Sequence, residues 1–327
     1  MKFTIRIVLS LIIITLCTQS SSAQGTMLLR QPTLSGEDIV FVYADDLWVV
    51  DRTGGDARRL TSHEGTESFP HFNQDGSLVA FTGEYGGNTD VYVVPTQGGI
   101  PQRLTWHPGP DVVQGWTPDG EIVFRSSREA HPTETNSFYQ VSTSGSLPTS
   151  VNVTRAAYGE LSPDGSKLAY TPITSWDAEW RNYRGGQAMP IWIQDVETGQ
   201  LDRTPQPDGE RHVDPVWMGD VVYYISERDY AANIWSYHPG TKAEQQITQH
   251  KVFDVKSLDV HDDDIVYEQG GRLHLIDGST GQTEPLEIQV RGDMNYSIPR
   301  WMDVSATNIN HASLSPCLLY TSDAADE

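Results

Sequence analysis

The chain has 327 residues, with 44 acidic and 22 basic side chains and a formal net charge of −22 at neutral pH. Duplex nucleic acid and anionic lipid surfaces carry the same sign of charge, so this acidity argues against either as the main partner. With 37% hydrophobic and 9% aromatic residues, the composition is that of a globular protein with a large core rather than of a disordered chain.

The first element is a predicted signal peptide over residues 1–23. Lys2 and Arg6 precede an apolar run, and Ser21–Ala23 supply the small residues of a cleavage site. The apolar run is too short for a helix that spans a bilayer. We therefore expect cleavage after Ala23 and export to the periplasm or the medium, with no membrane attachment afterwards.

The chain contains two cysteines, Cys17 inside the predicted signal peptide and Cys317 near the C-terminus. The body between them has none, which excludes disulfide bonds, thiol chemistry and cysteine-based metal sites there. An exported domain of this kind has to be held together by its hydrophobic core.

A repeat of turns and apolar runs dominates residues 24–288. Turn glycines precede β-rich segments at intervals of 40, 44, 45 and 54 residues, at Gly36, Gly76, Gly120, Gly165 and Gly219. After each turn come a β-branched apolar run, a second apolar run, another turn and a polar segment. A period in the forties is typical of four-stranded propeller blades. We predict an all-β fold, a six-bladed β-propeller of four-stranded antiparallel blades at 27–61, 69–105, 112–154, 157–205, 212–248 and 254–288.

Each predicted blade contains its four strands in chain order, so we expect the ring to close by packing alone, without strand exchange between the termini. After Ile288 the alternation stops, and residues 289–316 are interpreted as a linker and the first strand of a truncated second propeller. The repeated phrase Leu-Ser-Pro-Asp-Gly then breaks off after Pro316. We interpret residues 317–327 as the translation of a sequencing adaptor rather than as native protein.

The patterns of known catalytic and metal sites do not occur in this sequence. The ten histidines are scattered over different blades, and there is no His-Glu-x-x-His, Gly-x-Ser-x-Gly or phosphate-loop pattern. The acidic run Asp262–Asp264 lacks the spaced ligands and the turn glycine of a calcium loop, and is interpreted as a solvated turn. We predict no metal, no cofactor and no catalytic residue in this chain.

One loop carries residue types that suit binding. The fourth repeat is longer than the others, and its extra residues include two tryptophans, a tyrosine and two arginines. Flat apolar surface combined with fixed donors suits peptide recognition, so Trp180, Arg181, Tyr183 and Arg184 are candidate peptide contacts. The alternative is structural: the tryptophans cap the blade, and both arginines pair with the protein's own carboxylates.

Several of these features resemble a known family. The order of Asp45–Trp48, six four-stranded repeats and Glu179–Gly186 before Ile191–Ile193 resembles the N-terminal six-bladed propeller of tricorn proteases, over residues 25–316. The resemblance implies a longer parent that degrades short peptides as a homo-oligomer, with a second propeller, a PDZ domain and a serine peptidase region. Peptides and the parent's C-terminal domains would be the partners of this propeller, which would gate or channel peptides. None of the family's catalytic positions falls in this chain, so we expect it to be inactive by itself.

Two other interpretations stay open at this point. The chain could be a free-standing periplasmic propeller for protein–protein interaction, similar to the propeller of the Tol system. It could also be a prolyl-oligopeptidase-type propeller, which an α/β-hydrolase domain would follow. The gene sequence beyond Pro316 separates the three, because each implies a different continuation.

Overall fold

The computed structural model describes residues 25–129, 135–174 and 181–292. These residues form 25 β-strands and no helix, in six sheets arranged as the blades of a ring. No helix of the described residues is long and apolar enough to cross a membrane. The predicted signal peptide and residues 293–327 lie outside the described part of the chain.

Each blade has four antiparallel strands that follow one another in the chain. The first two blades comprise β1 (Arg30–Leu34), β2 (Asp38–Tyr43), β3 (Asp46–Asp51) and β4 (Gly55–Arg59), then β5 (Glu67–Phe72), β6 (Leu78–Tyr85), β7 (Asn88–Pro95) and β8 (Gln102–Arg103). The next two comprise β9 (Asp111–Trp116), β10 (Ile122–Ser126), β11 (Ser137–Val141) and β12 (Thr149–Ser150), then β13 (Tyr158–Leu161), β14 (Lys167–Thr171), β15 (Trp192–Asp195) and β16 (Leu201–Arg203). The last two comprise β17 (His212–Met218), β18 (Val221–Ser226), β19 (Asn233–His238) and β20 (Ala243–Gln246), then β21 (Val255–His261), β22 (Asp264–Gln269), β23 (Arg272–Ile276) and β24 (Thr283–Pro285). The predicted six-bladed propeller is confirmed.

The hydrophobic core lies between neighbouring blades. At the first interface Val40 and Leu47 pack with Phe81 and Val94, all of them fully buried. The other large clusters also combine residues of two successive blades. Runs rich in β-branched and aromatic residues suit strands covered on both faces. Burying one such side chain contributes about 1.5–3 kcal/mol, so packing between blades is the main source of stability.

The innermost strands of three blades share a bulge in front of a proline. Gln31, Phe69 and Asp214 have φ angles of 47°, 50° and 55°, and each of them precedes a proline. The ladder to the second strand shifts register at all three places. Proline cannot donate to a ladder and is confined to sheet edges and bulges. At Gln31 and Phe69 the bulge turns the backbone N–H towards the preceding blade: Gln31 N donates to Glu268 Oε2 at 3.1 Å, and Phe69 N donates to Gln31 Oε1 at 3.0 Å.

The ring closes with one more strand than the sequence analysis predicted. No strand exchange is needed to complete a blade, as expected, but β25 (Ile288–Val290) adds to the outer edge of the first blade, parallel to β4. Gly55 N donates to Glu287 O at 2.8 Å, and Thr26 N donates to Ile288 O at 2.7 Å. The prediction that the ring closes by packing alone is therefore wrong. Without β25 the outer edge of β4 would have unpaired backbone groups, and β25 supplies their partners.

Candidate functional site

The six innermost strands surround a central channel, which contains a cavity of about 780 Å³ lined by residues of all six blades. The turns between the first and second strands supply much of its lining, which places the cavity at their end of the ring. Its walls combine polar, acidic and aromatic side chains, including those of His71, Trp116, Glu160, Trp217 and Asp259. A cavity of this size accepts a small ligand or a short segment of peptide.

A ring of residues occupies the same place in every innermost strand. Each member pairs with the residue near the start of the second strand of its own blade, so the six lie at one level along the channel. In blade order they are Thr33, His71, Gly115, Glu160, Val216 and Asp259. These six residues are not among the sites predicted from the sequence, in which the inner strands are interpreted only as fold elements.

Side chains of this ring form hydrogen bonds with residues of the neighbouring blades. Asp259 Oδ2 accepts hydrogen bonds from Leu34 N at 2.8 Å and from the Thr33 hydroxyl at 2.6 Å, which joins the sixth blade to the first. The Thr33 hydroxyl oxygen in turn accepts a hydrogen bond from Phe72 N at 3.1 Å, which joins the first blade to the second. We call these contacts, together with those of Glu160 and Asp214 described next, the inter-blade belt.

The belt continues on the other side of the ring. Glu160 Oε2 accepts a hydrogen bond from Trp217 N at 2.8 Å, and Asp214 Oδ2 accepts one from Leu258 N at 3.0 Å. These bonds join the fourth blade to the fifth and the fifth to the sixth. Two indole N–H groups also form hydrogen bonds with backbone carbonyls of the preceding blade. Trp217 Nε1 donates to Glu160 O at 3.1 Å, and Trp116 Nε1 donates to His71 O at 2.9 Å. The channel wall is therefore fixed by side-chain contacts between successive blades.

The channel carries several carboxyl groups that repel one another. Burial and the charge of Asp259 raise the pKa of Glu160 to about 8, with a smaller contribution from Asp214. Burial, Asp259 and Glu268 raise the pKa of Asp214 to about 7. Burial also lowers the pKa of His71, although the charge of Asp259 opposes this. Within the described ranges, no group of three or more His, Cys, Asp or Glu side chains is arranged to hold a metal ion.

A hydroxyl, a histidine and a carboxylate also meet near the fifth blade. Thr204 Oγ1 lies 2.8 Å from His212 Nδ1, and His212 Nε2 lies 3.4 Å from Glu210 Oε1. All three residues are buried, and burial lowers the pKa of His212. Thr204 Oγ1 also accepts a hydrogen bond from Ile191 N at 3.0 Å. Because no substrate can reach the hydroxyl, this arrangement stabilises the interface between the fourth and fifth blades and does not form a nucleophile.

The candidate loop of the fourth blade binds to neighbouring blades. Arg181 Nη2 lies 2.6 Å from Asp254 Oδ1 and donates to Tyr230 O at 2.7 Å, and its guanidinium stacks 5.2 Å from the Tyr230 ring. Arg184 Nη2 donates to Glu227 O at 2.8 Å. Arg181 therefore pairs with one of the protein's own carboxylates, as the structural alternative predicts. Arg184 contacts a carbonyl instead.

Tyr183 and Trp180 are the other two candidate peptide contacts predicted from the sequence. The Tyr183 hydroxyl lies against Gly185, where a Cβ would come within 2.0 Å of it, so the glycine makes room for the tyrosine. Trp180 lies outside the described residues. The loop follows the second strand of its blade and so lies at the opposite end from the cavity, which means that the structure does not bring the two together. Peptide contact by this loop stays a prediction.

The ring of six four-stranded blades around an axial cavity defines the class of six-bladed β-propellers. The family described as Tricorn protease N-terminal beta propeller domain matches residues 26–282. The chain belongs to this family, as the sequence resemblance predicted.

Individual relatives agree with this assignment. The chain is 27% identical over 272 residues to the tricorn protease of Thermoplasma volcanium, which covers 80% of this chain and 26% of the relative. It is 27% identical over 268 residues to tricorn protease homolog 1 of Streptomyces coelicolor, which covers 80% of this chain and 25% of the relative. The chain thus spans about a quarter of the length of these curated relatives.

Solved structures show the same fold. A crystal structure of the tricorn protease matches with a TM-score of 0.71 and 24% identity, over 82% of this chain and 27% of that one. TolB from Acinetobacter baumannii matches with a TM-score of 0.54 and 21% identity, over 67% of this chain and 54% of that one. At these identities the similarity concerns the fold alone.

Proposed function

We propose that this chain is the gating or channelling propeller of a tricorn-type serine peptidase and passes peptides along its axis to a catalytic region elsewhere in a longer polypeptide. The observation that carries the proposal is the axial cavity of about 780 Å³, whose size and mixed lining suit a short extended peptide. The role is passive, since it requires an open, rigid ring and no proton transfer.

The inter-blade belt supports such a role because it keeps the opening in a fixed shape. Asp259, Thr33 and Glu160 each accept a backbone hydrogen bond from the next blade, at 2.8, 3.1 and 2.8 Å. Side chains that are held in this way do not collapse into the cavity. A peptide then meets a preformed wall and does not have to order it on binding.

The proposal extends to location and partners. The N-terminal sequence pattern supports export to the periplasm or the medium, and the family relationship supports peptides and further domains of the parent as partners in a homo-oligomer. Arg181, Tyr183 and Arg184, at the end of the ring opposite the cavity, are proposed contacts for peptides. Trp180, outside the described residues, is proposed as a fourth. The Arg184 side chain is exposed there. Arg184 is therefore the first of the four residues to substitute in a test of peptide contact.

Photo-crosslinking tests whether peptides enter the channel. A short peptide with a benzophenone side chain is irradiated with the full chain, and the labelled residues are mapped by mass spectrometry. We expect labelling of Trp116, Trp217 and Met218, which line the cavity, and loss of labelling when unlabelled peptide is added in large excess. Labelling of the outer strands alone, or labelling that does not respond to the competitor, contradicts the proposal.

A further inference from the structure

We infer that the axial cavity is a binding site for the alkylammonium group of a peptide, either its free N-terminus or a lysine side chain, held between Glu160 and Asp259. This inference rests on the proposed function and names the ligand chemistry that the same site takes. It makes the cavity selective for peptides that present a positive charge, and unfavourable for those that present a C-terminal carboxylate first.

The ionisable side chains that line the cavity are mainly acidic. Four carboxylates line the cavity, those of Asp75, Glu160, Asp259 and Asp262, and the described lining residues include no lysine or arginine. Asp75 accepts hydrogen bonds from Ser77 within its own turn, and Asp262 lies 3.7 Å from His261 Nε2. Asp75 is held within its own turn, whereas Glu160 and Asp259 lie on the innermost strands, at the level of the ring of six residues described above.

Each of these two carboxylates has one oxygen left for a ligand. Glu160 uses Oε2 for Trp217 N, and Asp259 uses Oδ2 for Leu34 N and the Thr33 hydroxyl. Glu160 Oε1 and Asp259 Oδ1 accept no hydrogen bond from any described residue. A carboxylate oxygen can only accept, while an alkylammonium group donates three hydrogen bonds and accepts none. Charge-assisted bonds of this kind are about twice as strong as neutral ones.

The negative charges of Glu160 and Asp259 repel each other, and a bound cation removes this repulsion. Burial raises the pKa of Glu160, and the negative charge of Asp259 is the next largest cause. A positive charge between them replaces repulsion with attraction, which lowers the pKa of Glu160 and releases its proton. The channel thus favours a cation for geometric and electrostatic reasons together.

Aromatic walls complete the site. Trp116 and Trp217 line the cavity, and their indole N–H groups are bound to the carbonyls of His71 and Glu160 in the preceding blades, so their ring planes are fixed. Trp217 is almost fully buried in the core between the fourth and fifth blades, so the half-buried Trp116 is the indole that can attract an ammonium group or cover the apolar stem of a lysine. The cavity therefore offers two acceptors and apolar surface in one place.

Isothermal titration calorimetry of the full chain with four peptides tests the inference. The probes are tetra-alanine amide with a free N-terminus, its N-acetyl counterpart, an N-acetyl peptide with one lysine, and the same peptide with norleucine in place of lysine. We expect the free amine or the lysine peptide to bind about tenfold more tightly than its neutral counterpart. Binding of the lysine peptide is expected to weaken with added salt and to release protons at about pH 7, where Glu160 is protonated in the free protein.

Matched variants locate the effect. Glu160→Gln and Asp259→Asn keep an acceptor for the belt and remove the charge, and each is expected to abolish most of the preference for the cationic peptide. Glu284→Gln removes a charge from the exposed outer strand β24 and is expected to leave the preference intact.

The outcomes separate the two proposals. Equal binding of charged and neutral peptides overturns the inference and leaves peptide binding by the channel standing, whereas no binding of any peptide overturns both. A preference that Glu160→Gln and Glu284→Gln reduce equally comes from the overall charge of the protein, and also overturns the inference.

Discussion

Asp259 in the sixth blade accepts a hydrogen bond from the backbone N–H of Leu34 in the first blade, at 2.8 Å. The two residues are 225 positions apart, yet their contact lies at the same level as the bonds from Phe72 N to Thr33 and from Trp217 N to Glu160. The last and first blades are thus joined by the same kind of contact that joins other pairs of blades. Strand β25 adds a second connection on the outside.

Loss of the Asp259 carboxylate is expected to destabilise the ring. Asp259→Ala leaves the partly buried Leu34 N–H and the Thr33 hydroxyl without their acceptor, so the free energy of unfolding should fall by about 1–3 kcal/mol in urea titrations. Asp263→Ala, in the exposed turn nearby, is the control and should change it by less than about 0.5 kcal/mol. Equal effects of the two substitutions would contradict a role of Asp259 in closure.

The raised pKa values predict that the fold loses stability as the pH rises from mildly acidic to about 8. Burial raises the pKa of Glu67 to about 7, and the pKa values of Glu160 and Asp214 are raised to about 8 and about 7. A raised pKa in the folded state stabilises the protein while the group is protonated, and this contribution is lost as the pH rises through that pKa. The melting temperature should therefore fall between about pH 5, just above the ordinary pKa of a carboxyl group, and about pH 8, where these groups have ionised in the folded state as well.

Glu160→Gln isolates the part of that fall that comes from the channel. The glutamine keeps an acceptor for Trp217 N and cannot ionise, so the melting temperature of the variant should depend less on pH than that of the wild type. Glu284→Gln, on the exposed strand β24, should retain the wild-type dependence. Melting curves that fall in parallel for all three proteins would rule out Glu160 as a cause.

Strand β25 is expected to contribute to stability through Ile288. This side chain is fully buried, so Ile288→Ala should lower the free energy of unfolding by about 2–4 kcal/mol. Amide hydrogen exchange of Gly55 and Thr26, which donate to Glu287 O and Ile288 O, should become faster. The neighbouring Glu287→Ala removes an exposed side chain and serves as the control; a comparable loss there would mean that burial of Ile288 is not the cause.

The Arg181–Asp254 ion pair is expected to contribute little to the free energy of unfolding by itself. The arginine side chain is 35% exposed, so a double-mutant cycle should give a coupling of about 0.2–1 kcal/mol. Asp254 also accepts a hydrogen bond from Ala232 N at 2.9 Å, so Asp254→Ala should cost more than Arg181→Ala. The reverse order, or a coupling well above this range, would show that the loop stabilises the ring more than its exposure suggests.

The blades could be predicted from the sequence because their signals are local. Gly76, Gly120 and Gly165 have positive φ angles in the turns that start each apolar run, and the runs that follow are buried between sheets. The inner-strand bulges also leave a local signal, the prolines that follow Gln31 and Phe69, which is not part of the prediction above. Such patterns depend on a few neighbouring residues and need no knowledge of the ring.

The belt and the closing strand could not be predicted in the same way. Glu160 and Trp217 are 57 residues apart, and a lone glutamate in a strand carries no indication of which backbone group it will meet. Strand β25 has three residues, which is too short for a periodic pattern. The loop with Arg181 attracted attention through its composition, but its position opposite the cavity follows from the direction of β14, which composition does not reveal.

The two ends of the propeller are held side by side, since Thr26 N donates to Ile288 O at 2.7 Å and Val290 N donates to the Thr26 hydroxyl at 2.9 Å. Such proximity permits circular permutation. A short linker could join Val290 to Thr26, and new termini could be opened near Pro108, in the exposed connection between the second and third blades. The order in which the blades are synthesised is then separable from the order in which they pack, and any of the six could come first.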